Sequence, residues 1–236
     1  SERSLEAVGR MKFKSDHDDE DISAGTDDPA EELSQDLVFF DCEVYPNLFM
    51  IRYKLEGDNP LVTMWNPKPE AVSALFKMRL VGFNNRKYDN HILYAASLGY
   101  DNDALYKLSQ MLIGNVKNAT FAAAYNISYT DVFDYASEKM TLKKWQIKLG
   151  IHHMEMDIPW DQPVPEDRMK DVEEYCGNDV LSLEQVHISR KGDFKARLIL
   201  SELSGLTPNY TTNAHSAAII FGSTKRPQTA FKCTDL

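Results

Sequence analysis

The sequence predicts an α/β protein built on a mixed five-stranded sheet with helices on both faces. Three observations lead there. Strand-like runs at about 37–43, about 47–55 and about 61–65 follow one another across the turn sequences "YPN" and "EGDNP", the pattern of an antiparallel three-strand meander. From residue 69 onward, helical and strand-like segments alternate, which favours parallel strands joined by helices. The chain of 236 residues is long enough for one sizeable core.

Taken in order, residues 1–36 carry about 12 acidic against about 4 basic side chains. The stretch 15–35 also contains Gly and Pro and lacks aromatics, so the expectation is an acidic flexible leader. After the meander, "PEAVSALFKM" reads as a helix with Pro near its start, and "RLVGFN" as a short strand. Helices are expected at about 90–98 and 102–113, then a strand within "ISYTDVFDY". "TLKKWQIKLG" is a helix that stops at Gly150. The Pro-rich "IPWDQPVP" leads into a long helix from about 165 to 187, and helices near 193–204 and 212–221 follow. The strand carrying Asp41 should be central, between the second strand and "LVGFN". This order matches the ribonuclease-H-like architecture.

The formal net charge of -10 removes the simple electrostatic argument for a nucleic-acid partner. It excludes none, because bound divalent cations reverse the local field. No apolar run reaches the roughly 18 residues that span a membrane, and there is no signal peptide. Three scattered cysteines, Cys42, Cys176 and Cys233, form neither a disulfide framework nor a zinc pattern and fit a reducing compartment.

The informative feature is "LVFFDCEVY". Strand alternation projects Asp41 and Glu43 from one side and Cys42 from the other, toward packing. Two adjacent carboxylates on one face repel, and a divalent cation with oxygen ligands is the usual resolution. A solvated edge strand is the plainer alternative, and the apolar residues before Asp41 argue against it. In "VGFNNRKYDNHIL", Asp89 opens a helix and is equally well read as its cap. In "DVEEYCGNDVLSL", Tyr175 and Asp179 stand four apart on one helix face, and Gly177 between them suits the close approach of a backbone or ligand.

Together "DCE" (41–43), "NNRKYD" (84–89) and "YCGND" (175–179) resemble the three motifs of the DEDD superfamily of 3′→5′ exonucleases, in that family's order. The tyrosine at 175 resembles the tyrosine subgroup. The likeness spans about residues 37–190. "FFDCEVYPNLF", "TLKKWQIKLGI" and "YCGNDVLSLEQV" further resemble the proofreading domain of family-A-like DNA polymerases of bacteriophages and prophages. On that likeness, 191–236 is a helical extension leading toward a polymerase module of the same polypeptide.

The resemblance implies two Mg²⁺ or Mn²⁺ ions held by Asp41, Glu43, Asp89 and Asp179, and in-line hydrolysis that releases 5′-mononucleotides from a single-stranded DNA 3′ end. Tyr175 would orient the attacking water, since a phenol titrates near ~10. Asn84 or Asn85 would hold the substrate sugar or phosphate. Arg86 and Lys87 are candidate phosphate contacts or simply a solvated turn. Tyr88 is a candidate stacking surface. The motifs accommodate RNA equally well, and a catalytically inactive nucleic-acid-binding or scaffolding domain is the reading from another class. The implied setting is a bacterial host cytoplasm; oligomeric state is not legible. "IHHMEMD" lacks zinc-helix spacing. Asp131 and Asp134 read as supports of the site or as ordinary strand-end acids, and Lys143 and Lys144 with Trp145 as contacts to a DNA backbone or, more plainly, as a solvated helix face beside a buried Trp145.

Overall fold

In the computed structural model the described residues are 36–222, so the expected acidic leader, Cys233 and the last part of the C-terminal extension lie outside them. Strand β1 (Leu37–Tyr45) pairs antiparallel with β2 (Leu48–Leu55), which pairs antiparallel with β3 (Val62–Trp65). On its other edge β1 pairs in parallel with β4 (Arg79–Gly82), and β4 with β5 (Thr130–Asp131). The order is β3-β2-β1-β4-β5, with the Asp41 strand central.

Alternation along β1 builds two cores. Val38, Phe40, Cys42 and Val44 pack with Ile92 and Leu93 of helix α2 (Asp89–Ser97) and with Leu105 and Leu108 of α3 (Asn102–Ile113). Leu37 and Phe39 pack on the other face with Trp145, Val180 and Leu183. Both phenylalanines are fully buried, each contributing about 1.5–3 kcal/mol.

Local sequence sets the helix ends. Helix α1 (Pro69–Leu75) starts on its proline, whose missing N–H costs nothing there. Asp101 caps α3 by accepting the Ala104 N–H at 2.9 Å. Helix α5 (Leu142–Leu149) is capped by Thr141 and stopped by Gly150, whose φ of 66° is left-handed. The long α6 (Met169–Ser189) follows a single 3-10 turn at Glu166–Arg168. Helices α7 (Lys191–Ser204) and α8 (Thr212–Phe221) follow it.

One expected element is much reduced. Within "ISYTDVFDY" only Thr130–Asp131 is strand, and the short helix α4 (Val132–Tyr135) follows at once. Asp131 is the cause: its carboxylate accepts the Phe133 N–H at 2.9 Å, so it caps a helix rather than continuing a strand.

Two buried ionic contacts fix the frame. Lys54 of β2 donates to Glu184 of α6 at 2.5 Å, and the other Glu184 oxygen accepts the Gly57 N–H at 2.8 Å. Arg197 of α7 donates to Asp134 at 2.9 Å, to the Pro208 carbonyl at 3.2 Å, to Thr212 at 2.8 Å and to the Tyr210 carbonyl. Among the described residues no helix is long and apolar enough to cross a membrane.

Candidate metal centre and its surroundings

The parallel register between β1 and β4 stops at Phe39↔Val81, while β1 runs on to Tyr45. Asp41 and Glu43 therefore stand beyond the end of β4, on a stretch of β1 whose antiparallel partners are Arg52 and Met50. The space that a longer β4 would fill takes the turn 83–88 and the start of α2. The Asp89 carboxylate accepts the Cys42 thiol at 3.1 Å. Asp89 is the first helical residue, and no side chain caps α2. Capping does not explain this acid.

Helix α6 closes the site from the face opposite to Cys42. Potential ligand atoms of Asp41, Glu43 and Cys176 lie within 4.8 Å of one another, and the Cys176 thiol donates to Asp41 at 3.6 Å. Tyr175 stands one helical turn before Asp179 on the same face of α6 and lines the same cavity. Gly177 makes room for a side chain rather than for a backbone or ligand: a Cβ there would collide with the Arg52 guanidinium, which donates to the Glu173 carbonyl.

Electrostatics ties the acids together. Burial holds the Asp41 carboxyl well above its ordinary value, and the charges of Asp89, Glu43 and Asp179 raise it further. Burial, then Asp179 and Asp89, pushes Glu43 up to about 8. Asp89 rises to about 6, burial outweighing its hydrogen bonds from Cys42 and the backbone, with Asp131 adding repulsion. Asp179 is raised by burial and eased by bonds from Gln146 and Tyr175 and by the field of His153. Burial and the same carboxylates push the Tyr175 phenol up, which keeps it a neutral donor. Among the described residues, none of these four acids has a lysine or arginine in ion-pair range. Unopposed, partly buried oxygen donors suit a hard divalent cation such as Mg²⁺ or Mn²⁺.

The 84–88 turn separates its residues. Asn84 is exposed in the left-handed region (φ 58°), and its N–H donates to Asp131 at 2.7 Å. Asn85 is fully buried, donating to Asn90 and Ser128 at 2.8 Å each. Gly82 makes room for it, since a Cβ would meet the Asn85 side chain at 2.6 Å. Arg86 is half-buried over the Tyr125 ring, and Lys87 is exposed. Tyr88 packs against the β1/α3 core and shares a 2.7 Å hydrogen bond with Ser109. Of this turn's residues, only Asn84 and Lys87 are exposed.

Several neighbours of the site went unread in the sequence. The thiols of Cys42 and Cys176 contact Asp89 and Asp41. Buried Gln146 donates to Asp179 at 2.9 Å and to Ser182 at 3.0 Å. Asp131 accepts three backbone N–H groups, from Asn84, Arg86 and Phe133, and so shapes the turn before Asp89. Only Cys176 carried a usable signal, sitting between Tyr175 and Asp179. Comparison of the chain with protein-family models, curated proteins and solved structures finds no match in any of the three.

Proposed function

We propose that this chain is a divalent-metal-dependent 3′→5′ exonuclease of the DEDD type, tyrosine subgroup, acting on single-stranded DNA as the proofreading domain of a phage-type DNA polymerase. The observation that carries the reading is the placement of Asp41 and Glu43 with Cys176, ligand atoms within 4.8 Å of one another and no lysine or arginine paired with them among the described residues, where the charges of Asp89 and Asp179 add to the field. The five-strand order supports a ribonuclease-H-like fold for it. The direction of digestion and the polymerase context rest on the sequence resemblance alone. The free thiols of Cys42 and Cys176 fit work in a reducing compartment such as a bacterial cytoplasm.

In this reading Asp41, Glu43, Asp89 and Asp179 hold the cations, which when bound supply Lewis-acid polarisation of the phosphodiester and an activated water. Tyr175, kept protonated by burial and by the charge of Asp179 beside it, orients the water rather than removing its proton. Asn84 and Lys87 are the exposed turn groups available to the substrate backbone.

The test is digestion of a 5′-labelled single-stranded DNA oligonucleotide with Mg²⁺, with Mn²⁺ and with EDTA, beside an RNA oligonucleotide of the same sequence. A metal-dependent ladder shortening from the 3′ end, abolished by Asp41→Ala, is expected. Full cleavage by folded Asp41→Ala, or a ladder independent of metal, overturns the site; preferential RNA cleavage overturns the substrate.

A further inference from the structure

Beside Tyr175 and Asp179 opens a cavity of about 400 Å³ whose wall also carries Lys143, Gln146, His153 and Glu155. Two of these side chains are potential cations, and both address the same atom. Lys143 Nζ forms an ion pair with Glu155 Oε1, and His153 Nε2 lies 3.2 Å from that oxygen. His153 is held from behind by Gln146, whose Oε1 lies 2.7 Å from His153 Nδ1. The Gln146 Nε2 donates to Asp179 and Ser182, so Oε1 is an acceptor and Nδ1 carries a proton. The His153 Nε2 faces the Glu155 carboxylate, the edge from which a protonated ring donates.

We propose that Lys143 and His153 form an anion subsite for a backbone phosphate of the nucleic-acid substrate, and that Glu155 is its internal occupant, displaced when substrate binds. The Lys143 and Glu155 side chains are 54% and 69% exposed, so their pair contributes little and exchanges readily. A phosphate oxygen accepts the same two donors with charge assistance. The imidazole is preorganised, because the Gln146 that orients it is buried and also bonded to Asp179. One amide thereby links the subsite to the carboxylate cluster, so a phosphate held by His153 lies next to the acids. Glu155 Oε1 occupies both groups in this structure, and its displacement frees them for an anion.

This subsite rests on the nuclease reading, and the experiment separates the two. Inorganic phosphate is titrated into the full chain while the His153 imidazole ¹H–¹⁵N signals are followed, and nucleic-acid cleavage is assayed in parallel. Glu155→Gln is expected to bind phosphate about 2- to 5-fold more tightly than the wild type, the size set by one exposed ion pair. Lys143→Ala with His153→Gln is expected to lose that binding, with circular dichroism confirming the fold. Unchanged or weaker phosphate binding by folded Glu155→Gln, in a protein that cleaves DNA, overturns the subsite and leaves the nuclease reading standing. Tighter binding by Glu155→Gln in a protein that cleaves no nucleic acid supports an anion subsite and overturns the nuclease reading.

Discussion

Gln146 Nε2 lies 2.9 Å from Asp179 Oδ1, joining α5 to the acid cluster across 33 positions of sequence. Holding one Asp179 oxygen fixes where the other points, as a second-layer amide does at metal sites. Gln146→Leu, which keeps the volume, is expected to weaken Mn²⁺ binding by about 10- to 100-fold. Electron paramagnetic resonance of free Mn²⁺ checks this. Wild-type affinity in the folded variant would mean that Asp179 needs no orientation.

The metal-free protein should lose stability as pH rises. A carboxyl whose folded-state pKa exceeds its unfolded value holds its proton more tightly when folded, so the folded state binds more protons and stability falls with pH. For Glu43 the window runs from 4.5 to about 8; for Asp89 and Asp131 it runs from 3.8 to about 6. Glu43→Gln removes one contributor, so in EDTA its melting temperature should pull ahead of the wild type between pH 4.5 and 8, by several degrees at the top. A difference that stays flat over that range would show that burial does not strain Glu43.

Gly177→Ala sets two effects of opposite sign against each other. Alanine gains about 1 kcal/mol of helix propensity. Its methyl would strike the Arg52 guanidinium, which is tethered to the Glu173 carbonyl and paired with the Glu173 carboxylate at 3.8 Å. Overpacking of this kind costs about 1–3 kcal/mol, so net destabilisation is expected, and Arg52→Lys should relieve part of it in a double-mutant cycle. Urea unfolding measures both. Additive effects would remove Arg52 as the reason for the glycine.

Glu184→Ala should be more damaging than most changes on α6. The variant would leave Lys54 buried without its carboxylate and the Gly57 N–H without its acceptor, costing about 3–5 kcal/mol. Glu184→Gln keeps the Gly57 bond and should cost less. Equal losses in chemical denaturation would place the damage in the charge pair rather than in the Gly57 loop.

What was legible in the sequence was governed by short-range rules. Alternation put Asp41 and Glu43 on one side of β1, the left-handed stop was visible at Gly150, and the meander could be read from its turns. The strand within "ISYTDVFDY" was overread because apolar and β-branched residues suggest extension, while the Asp131 side chain ends it after two residues. The Gln146–Asp179 bond and the Lys54–Glu184 pair, 130 positions apart, join segments whose proximity only the fold decides. The same holds for the two thiols: parity sends Cys42 away from Asp41, and nothing local says that Asp89 waits there.

The early end of β4 makes one side chain serve two masters. Asp89 meets the Cys42 thiol beside the stretch of β1 that β4 leaves unpaired, so a carboxylate stands at the open edge of the sheet. Trading that acid for an apolar residue would strip a charge from the cluster and, in the same stroke, leave the buried Cys42 thiol without its acceptor. Chemistry and architecture at this spot are thus inherited together, and neither can drift without the other.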